Sequence, residues 1–329
     1  MNDWRIFKAA TEPHDGLTTL PAPPPWRRSS VAETPVKLEA PGFDLEAEKL
    51  RGAPIRVSEP VVRAVNASLY LRRPLLVTGK PGVGKSSLAF AVAYQLRMGP
   101  VLKWPITSRA TVKSGLYDYD ALGRLQDKEE KDLGVYFRLG PLGTALYPRA
   151  WPRVLLIDEI DKGDLDLPND LLNVLEDGAF EIPELGRAKE RYADVRLHES
   201  STFATIEGGR VRCQQFPFIV MTSNGEREFP APFLRRCIRI TIPPPTFAEL
   251  KLIVNAHIKA HLEAAPEGSV DRMIKEFLLL RETQELATDQ LLNAAFLLLG
   301  DGRAVEAESS ESLETFKLLV KQLSTTEST

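Results

Sequence analysis

From about residue 55 the apolar positions settle into a pattern in which short unbroken runs alternate with helical periodicity. Ser58 followed by Pro60 reads as an N-cap and first turn, opening a helix through about Leu71. Pro74-Leu-Leu-Val-Thr78 is a brief apolar run that suits a strand buried on both faces. Glycines follow, then an amphipathic helix from Ser86 to Arg97. Further strands are expected at Val101–Ile106, Val154–Ile157, Phe216–Thr222 and Ile238–Ile242. Strands separated by helical stretches predict an α/β fold, a doubly wound parallel sheet covered on both faces.

After Pro243-Pro244-Pro245 the pattern is entirely helical. Thr246-Phe-Ala-Glu249 is a capping box that opens a helix to about His261. Ser269 and Thr288 are placed to cap two more, ending near Arg281 and at Gly300. One helix, Leu313–Leu323, is expected in an otherwise polar tail. The division read from these shifts is an α/β domain over 51–243, a small helical domain over 244–302 and a polar tail over 303–329.

The first fifty residues break the pattern. They carry Pro13, Pro21, Pro23, Pro24, Pro25, Pro35 and Pro41, and the run from Leu20 to Arg28 favours polyproline II over helix. Two readings of residues 1–50 stand side by side: a flexible arm, or a strap or partner motif anchored by Trp4, Phe7 and Trp26.

Composition narrows the classes. Lys and Arg total 42 against 45 Asp and Glu, a net charge of -3. A protein that mainly neutralises phosphate backbones is basic in at least one domain, so nucleic acid is not the default partner. Cys213 and Cys237 lack metal-ligand spacing and are expected to be buried or idle thiols in a reducing compartment. No apolar run approaches the roughly 20 residues that span a bilayer. No apolar signal core follows the first residues, so a cytoplasmic location is expected.

Two segments carry chemistry. Gly79-Lys-Pro-Gly-Val-Gly84-Lys85-Ser86 fits G-x-x-x-x-G-K-[ST] at every fixed position and lies between an apolar run and a helix. Gly79, Pro81, Gly82, Val83, Gly84, Lys85, Ser86 and Ser87 are therefore the expected nucleotide-binding residues. The glycines let backbone N–H groups turn toward phosphates, and the following helix adds its positive end. Lys85 can reach the β- and γ-phosphates, and the Ser86 hydroxyl can ligate Mg²⁺. Downstream, Arg153-Val-Leu-Leu-Ile-Asp158-Glu159 puts two carboxylates at the C-terminal end of a strand, the edge at which open α/β sheets bind ligands. Asp158 is the second expected metal ligand, and Glu159 the group that orients and deprotonates an attacking water.

With these segments in order, the sequence resembles AAA+ ATPases, and more narrowly their MoxR-like branch. Ile157-Asp-Glu-Ile-Asp161-Lys162 resembles that family's Walker B. Ile219-Val-Met-Thr-Ser-Asn224 resembles its sensor 1 strand, and Phe229-Pro-Ala-Pro-Phe-Leu-Arg235-Arg236-Cys237 the segment ending in its arginine finger. The resemblance implies a P-loop NTPase fold with a C-terminal helical lid, ATP and Mg²⁺ as ligands, and hydrolysis of ATP to ADP and phosphate. Asn224 would position the lytic water or touch the γ-phosphate, and Arg236, with Arg235 second, would reach a neighbouring subunit. A homo-oligomeric ring, a hexamer, is implied, because a finger supplied in trans needs a neighbour. So is remodelling or activation of a client protein, one candidate class bearing a von Willebrand A-type domain.

Each assignment has a structural counterpart: Asn224 as a turn cap, Arg235 and Arg236 as surface ion-pair partners. The resemblance also implies a helix-2 insertion within Ser108–Ala150 and a hairpin between Gly178 and Gln215, before sensor 1. Tyr117 and Tyr119 in the first insertion either grip a substrate or pack. One departure stands out. The third lid helix begins Leu286-Ala-Thr288-Asp289-Gln290-Leu291, without the basic sensor 2 residue of many AAA+ proteins. Arg281 and Arg303 lie nearest in sequence. Two alternatives stay open: a nucleic-acid-coupled motor resembling McrB, and a scaffold gated by nucleotide that turns over slowly.

Overall fold

The computed structural model describes residues 4–10, 12–27, 57–127, 132–198, 201–258, 261, 268–299 and 310–320. They divide into two compact units. One holds the N-terminal segment, Val57–Thr78 and Ser86–Thr241; the other holds Gly79–Lys85 and the residues from Ile242 on.

In the first unit, α1 (Glu59–Leu71) begins where Ser58 leaves the extended region and Pro60 enters the first turn. Strand β1 (Leu75–Thr78), helix α2 (Ser87–Gln95) and strand β2 (Leu102–Pro105) follow. Two short antiparallel strands, β3 (Tyr117–Tyr119) and β4 (Phe137–Leu139), precede β5 (Val154–Asp158). Helix α3 (Leu167–Asp177) leads into β6 (Ala179–Glu181), β7 (Tyr192–Arg196), β8 (Phe203–Glu207) and β9 (Arg210–Arg212). The unit closes with β10 (Phe218–Ser223), the short helix α4 (Ala231–Arg236) and β11 (Ile238–Thr241).

The first sheet is all parallel in the order β11-β1-β10-β5-β2. Burial follows position. Every residue of β10, at the centre, is buried, whereas edge strands β2 and β11 alternate. This is the parallel α/β architecture expected from the runs at 74–78, 101–106, 154–157, 216–222 and 238–242. Helix α2 is not amphipathic as its sequence suggested: every residue from Leu88 to Gln95 is buried. Its small residues Ala89, Ala91 and Ala93 let it pack on all sides.

The two insertions do not stay separate. Together they build a second sheet in the order β3-β4-β7-β8-β9-β6. Strands β7 and β8 form the hairpin expected before β10, with alternate residues buried. Ala193, Val195, Ala204 and Ile206 join the same core as Leu155 and Ile157 of the first sheet. Tyr117 is 5% exposed, its hydroxyl donating to Glu184 Oε2 at 3.0 Å, and Tyr119 stacks on Phe137 at 4.4 Å. Both tyrosines therefore pack the inserted sheet.

The start of the chain docks on this unit. Phe7 is fully buried and Ile6 nearly so. Asn66 of α1, itself buried, accepts from the backbone N–H groups of both and donates to Phe7 O at 2.8 Å. Burying a phenylalanine contributes about 2–3 kcal/mol. Trp4 sits edge-on to Tyr70, while Trp26 is 76% exposed. Arg72 Nη2 holds Pro21 O at 2.7 Å, and Arg27 Nη1 donates to Leu175 O at 3.2 Å.

The second unit contains α5 (Phe247–Ile258), α6 (Ser269–Thr283), α7 (Thr288–Leu299) and α8 (Ser310–Leu319). The capping box forms as read: Thr246 N donates to Glu249 Oε2 at 2.7 Å and Glu249 N to Thr246 Oγ1 at 3.4 Å. The other two caps shift by one residue. Gly268, left-handed at φ 78°, precedes α6, and Ala287 N is met by Gln290 Oε1 at 2.8 Å before α7. The helices share a core that includes Leu250, Val254, Ile274, Phe277, Leu291 and Phe316. The expected end of the third lid helix, Gly300, lies outside the described residues, as do residues 259–260 before the expected end of the first at His261. No described helix is long and apolar enough to cross a membrane.

Both cysteines are buried, and burial pushes the Cys213 thiol up to about 11 and the Cys237 thiol up to about 12. Alkylation of the native protein at pH 8 is therefore expected to run roughly 100-fold or more below that of the urea-unfolded chain, since the thiolate is the nucleophile. Equal rates, followed by mass spectrometry, would contradict the burial.

Candidate functional site

Three adjacent parallel strands of the first unit, β1, β10 and β5, end at the same edge of the sheet. Their register places Thr78 beside Ser223, and Met221 beside Ile157. The chain leaves β1 into the glycine-rich loop, leaves β5 through Asp158 and Glu159, and leaves β10 through Asn224. The expected catalytic residues of β5 and β10 are thus brought together by register alone.

Hydroxyls tie this edge together. Asp158 Oδ1 accepts from Ser86 Oγ at 2.7 Å and from Thr222 Oγ1 at 2.6 Å. The two oxygens expected to hold a metal, from Ser86 and Asp158, are therefore in contact. Among the described residues no group of three His, Cys, Asp or Glu side chains could hold a metal by itself. The Ser86 hydroxyl and the Asp158 carboxylate are both oxygen donors, the chemistry a hard cation such as Mg²⁺ takes.

Glu159 stands in the left-handed region at φ 59° and ψ 51°, which costs a non-glycine residue roughly 1–2 kcal/mol. Its N–H donates to Thr222 Oγ1 at 2.8 Å, fixing the turn. Its carboxylate accepts from Lys162 Nζ at 2.7 Å. That hydrogen bond holds the Lys162 ammonium above the usual lysine range. The pair is half exposed, so it contributes little to stability.

Thr222 and Ser223, both fully buried, were not singled out in the sequence. Their signal was available: Thr222-Ser223-Asn224 is a polar run completing an otherwise apolar strand. Asp161, 5% exposed, sat inside the Walker B likeness without a role. Its Oδ2 accepts from Ser223 Oγ at 2.9 Å and from the N–H of Asn224 at 2.8 Å. The Asn224 side chain donates to Glu226 Oε1 at 3.3 Å.

Arg236 ends α4 with its guanidinium forked on Glu176 of α3, Nε to Oε1 and Nη2 to Oε2. The hydrogen bond from Arg236 holds the Glu176 carboxyl below its ordinary range. The ion-pair reading of Arg236 is thus realised within the subunit. Arg235 is exposed, and its carbonyl accepts from Arg73 Nη1 at 3.0 Å.

In the second unit, the loop Gly79–Lys85 has the backbone its glycines permit. Gly82 stands at φ 73°, and a Cβ there would lie 2.6 Å from Ala287 Cβ and from Thr288 N. Only glycine fits a left-handed position against another backbone. Lys85 is 7% exposed and its ammonium donates to the carbonyls of Gly79 at 2.7 Å and Lys80 at 2.8 Å. Arg281 Nη2 donates to Pro245 O at 2.9 Å, and the same arginine lines a small cavity with Lys80, Pro81 and Glu285. Arg303 lies outside the described residues.

Residues 74–237 match the AAA domain (dynein-related subfamily). The match runs from the residue before β1 to the residue after Arg236 and so includes every expected catalytic residue. No curated protein matches the chain. Among solved structures, NtrX from Brucella abortus in complex with ADP is similar at 14% identity, covering 72% of this chain and 48% of that one, with a TM-score of 0.40. The chain thus spans about half the length of that structure.

Proposed function

We propose, for a chain whose residues 74–237 match the AAA domain, that it hydrolyses ATP as a subunit of a homo-oligomeric ring and uses the cycle to remodel a partner protein. An AAA domain is a nucleotide-hydrolysing module; the narrower reading is MoxR-like. The observation that carries the hydrolytic reading is the contact of Ser86 and Thr222 with one oxygen of Asp158, beside the turn that presents Glu159.

In this reading Gly79–Lys85 cradles the phosphates and Lys85 lends them its charge. Ser86 and Asp158 would hold Mg²⁺, which, when bound, offsets charge on the phosphate oxygens. Glu159 accepts a proton from the attacking water, and Asn224 orients that water. The lid cation is assigned to Arg281, which borders Lys80 and Pro81 of the loop. The test is phosphate release with ATP and with GTP, each with Mg²⁺ or EDTA. Release that is absent, or indifferent to metal, would refute the proposal. Filter binding to DNA separates it from a McrB-like motor.

Arg236 is assigned the finger role between subunits, which requires it to leave Glu176. Arg236→Ala is expected to bind ATP as wild type does and to lose about 10–100-fold in ring hydrolysis. That is less than the 10³–10⁵ of GTPase fingers, since Arg235 is adjacent. Mixing Arg236→Ala with Lys85→Ala should restore part of the activity, because some interfaces then join an intact loop to an intact finger. Mixed rings without any recovery would return Arg236 to its ion-pair role.

A slow, nucleotide-gated scaffold is favoured by one observation: Glu159 and Arg236 both stand in ion pairs within the subunit. Turnover that stays slow in assembled rings would favour it. The client, one class of which bears a von Willebrand A-type domain, is accessible by pull-down with a hydrolysis-dead variant.

A further inference from the structure

The segment that follows Asp158 and Glu159 is joined to the loop that follows β10 by contacts running in both directions. From the first side, Asp161 Oδ2 accepts from Ser223 Oγ at 2.9 Å, from Asn224 N at 2.8 Å and from Glu226 N at 3.3 Å. Ser223 Oγ passes the connection on, accepting from Gly225 N at 3.0 Å. From the other side, Arg227 Nη2 donates to the carbonyls of Asp161 and Gly163. Residues 223–227 are thereby held against residues 161–163 without a strand ladder.

Stability alone is a poor reason for this carboxylate. Asp161 is 5% exposed, and its Oδ1 is buried with no hydrogen-bond partner among the described residues. A buried carboxylate oxygen without a donor is costly. The other oxygen, by contrast, gathers three donors, one from the last residue of β10 and two from the loop after it. A carboxylate suits this task because it is an acceptor only and can take several N–H and O–H groups at once. The loop it gathers starts at Asn224, whose backbone N–H is thereby turned toward Asp161.

We propose that Asp161 is a positioning residue for hydrolysis: by holding the backbone of 223–226 it sets where the Asn224 side chain stands relative to Glu159. This rests on the ATPase reading above, in which Asn224 orients the water that Glu159 deprotonates. Asp161 itself touches neither water nor phosphate in this scheme.

Three variants of the 329-residue chain test it. Asp161→Ala is expected to lower kcat by roughly 10–100-fold, the range for losing a supporting hydrogen-bond partner, while the Kd of a non-hydrolysable ATP analogue stays within about twofold. Asp161→Asn keeps one accepting oxygen and the side-chain volume, and should recover most of that loss. Asn224→Ala added to Asp161→Ala should slow the enzyme by less than about twofold further, because both act through the same group. Independent multiplication of the two effects, or no recovery with Asn, overturns the proposal.

Hydrogen exchange reads the placement without any turnover. The amides of Asn224 and Glu226 should exchange faster in Asp161→Ala, with those of residues 219–222 unchanged. If Asp161→Ala does not fold, the same comparison is made with Asp161→Asn, where a small selective acceleration at 224 and 226 is expected. Unchanged exchange at 224–226 overturns the proposal even if the protein is active. A wild-type chain without phosphate release removes the ATPase reading instead, and the exchange result then decides the positioning by itself.

Discussion

Lys85→Ala is expected to abolish measurable ATP binding. Lys85 is 7% exposed, and its ammonium donates to the carbonyls of Gly79 and Lys80. It therefore stands inside the loop already, poised among the backbone groups that would surround a phosphate chain. A hydrogen bond to a charged group contributes about 1.5–3 kcal/mol, and two lost together lower affinity by roughly 10²–10⁴-fold. The alanine variant also loses the cross-brace between Gly79 and Lys80, so the loop is less well ordered before binding. The fold should survive, because β1 and α2 are each buried independently of the loop. Calorimetry with ATP and Mg²⁺ measures the effect, with circular dichroism as the control. Unchanged affinity in a folded variant would sink the assignment of Lys85 as the phosphate cation.

Glu159→Gln is expected to keep ATP binding and to lose turnover by about 10²–10⁴-fold, the usual contribution of a positioned general base. Glutamine has the same length, and its carbonyl can still accept from Lys162, whose Nζ lies 2.7 Å from Glu159 Oε2. The left-handed turn should persist, since it is held by the backbone N–H on Thr222 rather than by the carboxylate. What disappears is the capacity to take a proton. The variant should therefore retain ATP and, in a ring, its client. Lys162→Met is the useful companion. If the Lys162 pair restrains the base, that variant raises kcat; if Lys162 only helps place Glu159, kcat falls. Wild-type hydrolysis by Glu159→Gln would remove Glu159 from the mechanism.

Much of the fold and of the candidate site was legible in the residues. The five apolar runs became the five parallel strands: β1, β5 and β10 are buried on both faces and so apolar throughout, a signal that needs no partner to be recognised, while the edge strands β2 and β11 are only partly covered. The loop after β1 was legible because glycine at Gly82 answers a local requirement, positive φ and no room for a Cβ. The capping box at Thr246 and Glu249 is likewise complete within four residues.

What the sequence left undecided depends on residues far apart in the chain. Strands β3, β4, β6, β7, β8 and β9 are three to five residues each, and only their pairing across two separate insertions makes them one sheet. Tyr117 and Tyr119 could have gripped a substrate; it was Glu184 and Phe137, distant in sequence, that made them packing residues. Helix α2 has alanines where an amphipathic helix would turn polar, but only close neighbours on every side explain its complete burial. The buried hydroxyls of Thr222 and Ser223 and the carboxylate of Asp161 carry no spacing rule. They gain their roles because parallel register sets the end of β10 beside the end of β5. Local backbone chemistry and continuous burial were therefore determined by the sequence itself, while polar contacts between strand ends were decided by tertiary structure, which alone fixes the distance between donor and acceptor.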